Sequence, residues 1–341
     1  MGSNNVLPLA EGCCVVVVRG SVGWAWVLLM GVAPWTGGCV LGLPFLPANV
    51  TFGSDVQREL IDTAGRARFY HEPGIADAQW LEFDRANEPG AVGGYLSLDV
   101  EPSASLIIML DGASTFREDG EVGGSRDWHM EETPTYRARG FRTWSLAVRE
   151  CGTAYGQGDL ADLIEAIDWL DAEGKALLGV ERVYVFGFST GATIAALANL
   201  QRAVTAVVVV GGLYEPDQLE ANGDLYELIT SVSPLNEGLC QMAWTLDFYG
   251  APGSPAWDAL DTVSRVDQIK SPMFLLHGSS DGIFEVTNTI HLEQAYREHV
   301  MAGAVLPPLE FYYVLQGGHG APKENPLGLA RILSYLERFE P

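Results

Sequence analysis

The sequence predicts an α/β fold class: a doubly wound, mostly parallel sheet of eight strands, with a cap insertion after strand 6. Three observations carry that expectation. Short apolar runs recur along the chain, amphipathic helical stretches separate them, and one gap of about sixty residues, 213 to 272, breaks the rhythm.

Taken in order, "RARFYH" (66 to 71) and "GYLSLDVEP" (94 to 102) alternate polar with apolar residues, the pattern of half-exposed antiparallel strands. "SLIIMLDG" (105 to 112), "FRTWSLAV" (141 to 148), "RVYVFG" (182 to 187), "VTAVVVVGG" (204 to 212), "MFLLHG" (273 to 278) and "EFYYVLQGG" (310 to 318) are mostly continuous apolar runs. Runs of that kind belong in a parallel sheet covered on both faces. Between them, "DLADLIEAIDWLDAEGKALL" (159 to 178) sets Leu160, Leu163, Ile164, Ile167 and Leu170 on one helical face. "ATIAALANL", "NTIHLEQAYREHVM" (288 to 301) and "PLGLARILSYLERF" (326 to 339) read as the later helices. The chain therefore divides into a signal segment (1–39), a linker (40–60) and one domain (61–341), whose cap spans about 213–268 and carries Tyr214, Trp244, Phe248, Tyr249 and Trp257.

Composition narrows the function classes. The 341 residues are 48% hydrophobic and 19% charged, which fits a globular chain. Asp and Glu number 44 against 20 Lys and Arg, a net charge of −24, and such a surface repels phosphate backbones, which excludes nucleic acid as a partner. Between Arg19 and Asp55 there is no charge, and "SVGWAWVLLMGVA" is apolar over a length that suits a signal-peptide core better than a membrane span. "WTGGC" follows it, ending in Cys39, and resembles a bacterial lipoprotein signal whose cysteine is lipidated; Thr36 departs from the usual leucine. The expectation is export, with membrane attachment through the N-terminus only. Cys13 and Cys14 fall inside the signal segment, leaving Cys151 and Cys240 as a candidate disulfide or as two separate thiols. No metal-ligand spacing occurs, and no cofactor is expected.

The chemistry begins at Gly187-Phe188-Ser189-Thr190-Gly191, a glycine-flanked serine between an apolar run and a helical stretch. A serine hydroxyl needs a histidine to take its proton, and that histidine needs an acid to fix its tautomer. Asp281 follows "MFLLHGSS" and His319 follows "EFYYVLQGG", so each of the three stands just past a strand, in the order Ser, Asp, His. The other histidines fit less well. His71 lies in an N-terminal strand, His129 in a loop before the first helix, and His291 and His299 on one helix. His277, at a strand end, reads as structural.

With those three segments in hand, the chain resembles the α/β-hydrolase superfamily, and within it the catalytic domains of prolyl oligopeptidases and dienelactone-hydrolase-like esterases. "GFSTGA", "LLHGSSDGIFEV" and "GGHG" carry the likeness, together with "VRECGTAYGQGDLADLIEAIDWL", where Glu150-Cys151 replaces the usual Gly-Ser. The resemblance implies Ser189 as nucleophile, His319 as base, Asp281 as acid, and Gly187 and Gly191 as the glycines of the nucleophile elbow. It also implies an oxyanion hole from the backbone N–H groups of Thr190 and Ala113. Glu215, after the sixth run, is the alternative acid, since some hydrolases place theirs there. Asp111 stands where many relatives carry histidine or tyrosine, and it can orient its loop by accepting backbone N–H bonds. The expected activity is that of a serine carboxylesterase acting on a small-molecule or polymer ester. A propeller-free peptidase or amidase and a non-catalytic surface-anchored binding module are the alternatives.

Overall fold

The computed structural model describes residues 5–8, 13–19, 25–31, 58–86, 89–98, 103–112, 129–147, 157–217 and 254–341. The chain divides into two units, Met1–Val50 and Thr51–Pro341. In the first, β1 (Asn5–Pro8), β2 (Cys13–Arg19) and β3 (Ala25–Gly31) pair as an antiparallel meander, and the apolar run read as a signal core supplies β3. Among the described residues, no helix is long and apolar enough to cross a membrane.

The second unit is built on one sheet. Its strands are β4 (Glu59–Ala64), β5 (Ala67–His71), β6 (Ala78–Asp84), β7 (Ala91–Ser97), β8 (Ser105–Leu110), β9 (Arg142–Leu146), β10 (Arg182–Phe188), β11 (Ala206–Val210), β12 (Met273–Gly278) and β13 (Leu309–Val314). They lie in the order β13-β12-β11-β10-β8-β9-β7-β6-β5-β4. The six strands from β13 to β9 run parallel, and β7 to β4 continue as an antiparallel meander. The sheet thus has ten strands, not the expected eight.

The two extra strands have different histories. β6 buries Leu81 and Phe83 on its inner face, but Glu82 stands between them and accepts hydrogen bonds from Arg68 Nε (3.0 Å), Tyr70 Oη (2.9 Å) and Trp80 Nε1 (3.0 Å). Its other face sets Trp80 beside Glu82, both partly buried, and the apolar Trp80 directly before Leu81 breaks the alternation. β4 gives the core only Ala64, partly buried: its other five residues are exposed, Leu60 and Ile61 among them. A strand held mostly by edge hydrogen bonds leaves no hydrophobic period to read.

The parallel strands bury both faces, and the alternation is visible in which side each residue serves. Leu106, Ile108, Val183, Val185, Val207, Val209 and Leu275 pack under helices α2 (Gln157–Trp169) and α3 (Thr190–Asn199). Their neighbours Ile107, Met109, Tyr184, Phe186, Val208, Phe274 and Leu276 pack on the other side, with Tyr136 of α1 (Thr133–Arg137) and Ile332, Leu333 and Leu336 of α5 (Pro326–Glu337). Helix α4 (Thr287–Met301) adds Leu292 to the first of these layers. The helix expected over 159–178 is interrupted. After Trp169 a wider π turn, Leu170–Gly174, carries the chain into the short helix Lys175–Leu178, with Trp169 and Leu170 both buried.

Residues 218–253 of the expected cap lie outside the described residues, with Trp244, Phe248 and Tyr249 among them. The insertion's two ends are tied together at its base. The Tyr214 carbonyl accepts from the Thr262 N–H (2.9 Å) and the Val263 N–H (3.2 Å), and Trp257 Nε1 donates to Asp217 Oδ1 (2.8 Å). Tyr214 and Trp257 are core residues, 0% and 2% exposed, so neither presents its ring at the surface.

Candidate active site

The chain's direction across the sheet changes beside β8: β9 adds on one side of it and β10 on the other. Strands leaving to opposite sides open a crevice at their carboxyl ends. Ser189 follows β10 at that point, and Asp111-Gly112 follows β8.

Ser189 is held in an elbow. Its φ of 55° and ψ of −120° put a residue with a side chain where L-residues rarely sit, and α3 begins at the next residue. The turn persists because its surroundings fix it. The Ser189 N–H donates to the Val210 carbonyl (2.9 Å), and the Ser189 carbonyl accepts from the Ala192 and Thr193 N–H groups (3.0 and 3.2 Å). Two glycines make the turn sterically feasible. A Cβ on Gly187 would overlap the Gly191 carbonyl oxygen, and one on Gly191 would overlap the carbonyls of Leu110 and Asp111. The elbow and the β8 loop are therefore in backbone contact, and a Cβ on Gly112 would come within 2.8 Å of Ser189 Cβ. Asp111 Oδ1 accepts the Gly112 N–H (2.6 Å), the loop-orienting role its carboxylate allowed.

His319 and Asp281 meet over the ends of β12 and β13. His319 Nδ1 lies 2.7 Å from Asp281 Oδ2, and since a carboxylate only accepts, Nδ1 carries the proton. The opposite nitrogen, Nε2, is buried with no hydrogen-bond partner among the described residues. The imidazole sits beside the elbow: its centroid is 5.0 Å from the Phe188 ring, and a Cβ on Gly211, next to Val210, would be 3.3 Å from its Cε1 and Nδ1. Phe284 packs edge-on against its other side at 5.8 Å.

Asp281 is surrounded by donors. Oδ1 accepts the N–H groups of Ile283 (2.8 Å) and Phe284 (3.0 Å), while Oδ2 takes His319 and, at 3.2 Å, Nε2 of His277. Its side chain is fully inaccessible. Burial alone would push its pKa up, but the hydrogen bonds from His277, His319 and the Ile283 N–H outweigh that and hold the carboxyl well below the usual range. It is a buried acid kept ionised.

Glu215 is placed elsewhere. Its Oε2 lies 2.5 Å from Nδ1 of His291 on α4, and its N–H donates to Asn288 Oδ1 (3.3 Å). Of the other histidines, His129 falls in a helical turn, not a loop, and is buried with Nε2 3.4 Å from Asp77 Oδ1. Thr190 opens α3 and is 3% exposed. Ala113, Cys39, Cys151 and Cys240 lie outside the described residues.

A family model described as the alpha/beta hydrolase family matches residues 112–332. The chain belongs to the alpha/beta hydrolase family. The matched span runs from the β8 loop through the elbow and both later loops into α5. Solved structures of similar fold include an esterase of Pyrococcus furiosus, with a TM-score of 0.56 and 16% identity over 77% of this chain and 91% of that one. A truncated carbohydrate esterase from gut microbiota has a TM-score of 0.55 and 15% identity, covering 83% of this chain and 99% of that one. A bifunctional GH43-CE protein of Bacteroides eggerthii has a TM-score of 0.55 and 18% identity over 78% of this chain and 39% of that one. No curated protein matches the chain in sequence.

Two residues of this alpha/beta hydrolase site escape a reading of the sequence alone. Gly112 backs onto the serine, and its only signal is that it directly follows an apolar run. His277 looks structural as the penultimate residue of β12, yet it touches the acid. The spacing His277 to Asp281 is the available clue.

Proposed function

We propose that this protein is a serine hydrolase that cleaves carboxylic esters through an acyl-enzyme on Ser189. The observation that carries the reading is the His319 imidazole: its Nδ1 is bound to a buried, ionised Asp281 while its Nε2 is buried and unpartnered beside the elbow. A histidine whose Nδ1–H is fixed by a carboxylate presents a lone pair at Nε2, and a lone pair there is what a serine hydroxyl must lose its proton to.

In the proposed reaction, His319 Nε2 takes the Ser189 proton as Oγ adds to the ester carbonyl carbon. The carbonyl oxygen becomes an oxyanion that the backbone N–H groups of Thr190 and Ala113 receive. Collapse breaks the bond to the alcohol, whose oxygen takes the proton back from His319. A water molecule, deprotonated by the same nitrogen, then adds to the acyl carbon, and Ser189 leaves with the proton. Asp281 stays ionised throughout and holds the imidazolium in place.

Preference for esters draws on the solved structures of like fold that are esterases, from Pyrococcus furiosus and from gut microbiota. The test is labelling with a fluorophosphonate probe together with rates on p-nitrophenyl esters and on matched prolyl and aminoacyl anilides. Labelling abolished by Ser189→Ala, with esters cleaved far faster than anilides, is the expected result. Labelling that persists in Ser189→Ala rejects the nucleophile, and faster anilide cleavage moves the protein to the peptidases. We also propose export, on the strength of the apolar run and Cys39; incorporation of labelled fatty acid that Cys39→Ala removes would support it, and equal incorporation would reject it.

A further inference from the structure

His277 is a buried group beside the site that the proposed reaction leaves unused. Its side chain is fully inaccessible, and each of its ring nitrogens has a partner. Nε2 lies 2.8 Å from the Phe284 carbonyl and 3.2 Å from Asp281 Oδ2. Both are acceptors, so Nε2 carries the proton and shares it between them. Nδ1 lies 2.7 Å from Thr289 Oγ1 on α4, whose hydroxyl anchors the ring.

These bonds reach His319 by two routes. The first runs through Asp281. Two backbone N–H groups pin Oδ1, and without His277 the oxygen that binds His319 would have that single partner. The second runs through Phe284. Its N–H donates to Asp281 Oδ1, its carbonyl accepts from His277, and its ring packs edge-on against His319. One N–H therefore fixes both the carboxylate and the ring that flank the base.

We propose that His277 is a positioning residue for this site: its Nε2–H, held in place by Thr289, sets the Asp281 carboxylate and the Phe284 turn in the geometry that orients His319. The inference rests on the serine-hydrolase reading above. A hydrogen bond to a charged group is strong enough that its loss from an orienting carboxylate should be read in turnover rather than in substrate binding.

The experiment compares three variants of the full chain on a p-nitrophenyl ester. His277→Gln keeps an N–H near the Nε2 position, His277→Leu keeps bulk without a donor, and Thr289→Val removes the hydroxyl that anchors the ring. His277→Leu should lower kcat by about 10- to 100-fold with KM nearly unchanged, and His277→Gln should recover most of that loss. The low-field proton resonance of His319 Nδ1–H should persist in the glutamine variant and shift or broaden in the leucine variant. A folded His277→Leu protein at wild-type kcat overturns the inference, as does a glutamine variant no better than leucine, since bulk alone would then be at issue. If the leucine variant does not fold, Thr289→Val decides: a kcat loss of about 3- to 10-fold supports positioning, and wild-type kcat overturns it. Ser189→Ala separates the two levels. If it is inactive while His277→Leu is fully active, only the His277 role fails; if Ser189→Ala turns over normally, the hydrolase reading fails with it.

Discussion

Replacing Asp281 with asparagine tests the site most sharply, because the structure dictates how the amide must sit. The carboxylate accepts four N–H bonds, two from the backbone on Oδ1 and two from imidazoles on Oδ2. Asparagine retains one oxygen. If its NH2 faced the backbone, it would meet the Ile283 and Phe284 N–H groups, which cannot turn away, and each stranded donor would cost about 1–3 kcal/mol. The NH2 therefore faces the imidazoles, where His277 Nε2–H still has the Phe284 carbonyl and His319 can adapt by moving its proton from Nδ1 to Nε2. That adaptation removes the lone pair that receives the serine proton. A wrong tautomer in otherwise intact geometry lowers turnover about 10⁴-fold, equivalent to about 5.4 kcal/mol of barrier. The assay is kcat/KM for a p-nitrophenyl ester, with thermal unfolding to confirm the fold. Glu215→Gln is the paired control: the Glu215–His291 pair is partly exposed and makes no bond to His319, so activity should stay within about 2-fold of wild type. If Asp281→Asn keeps more than about a tenth of wild-type kcat/KM, the tautomer argument is wrong; if Glu215→Gln is the severe variant, the acid is Glu215.

The same geometry yields three other expectations. Ser189→Gly should be inactive yet more stable than wild type by about 1 kcal/mol, because φ near 55° strains serine and not glycine; an unchanged or lower Tm would remove strain from the account of the elbow. Gly187→Ala should destabilise the chain by about 3 kcal/mol or more, since its methyl overlaps the Gly191 carbonyl oxygen and neither backbone can yield without opening the turn; urea unfolding with an unchanged midpoint would contradict it. Asp281 should also set an acid limit. Its folded pKa is depressed, so its stabilisation is complete above the unfolded value of about 3.9 and disappears as pH falls through the folded one. The Tm gap between wild type and Asp281→Asn should therefore be constant near neutrality and narrow below about pH 4; a constant gap down to pH 2 would show that folding does not depress the pKa of this carboxyl.

How much of this was legible in the chain follows from where the hydrophobic signal lies. The strands that carry the three loops are apolar on both faces, and a run such as "AVVVV" of β11 can hardly be anything but a buried strand. Their ends then place Ser189, Asp281 and His319 on the same edge of the sheet without any side-chain information. β4 and β6 were not legible for the opposite reason. One buries almost nothing and the other breaks its alternation where Trp80 precedes Leu81, so their pairing is a product of neighbouring strands and not of their own pattern. The π turn after Trp169 carries no mark of its own either, because Leu170 continues the apolar spacing of Leu163 and Ile167 before it.

The site divides along the same line. What a residue could do at a strand end can be inferred from its own chemistry, so the proposed nucleophile, base and acid can each be named from the chain. What holds them in register is made of contacts between segments, and these carry no local mark. Gly112 matters because Ser189 Cβ lies against it, and His277 matters because Asp281 Oδ2 has room for a second N–H. Asp281 also illustrates why the distinction is physical. Desolvation alone would favour its neutral form, and a neutral carboxyl could not hold the His319 proton on Nδ1. The acid functions as an acceptor only because its neighbours supply four N–H groups, three of them from residues that a search for a catalytic triad passes over. The proposed chemistry rests on three residues, and the charge of Asp281 is set by the residues around it.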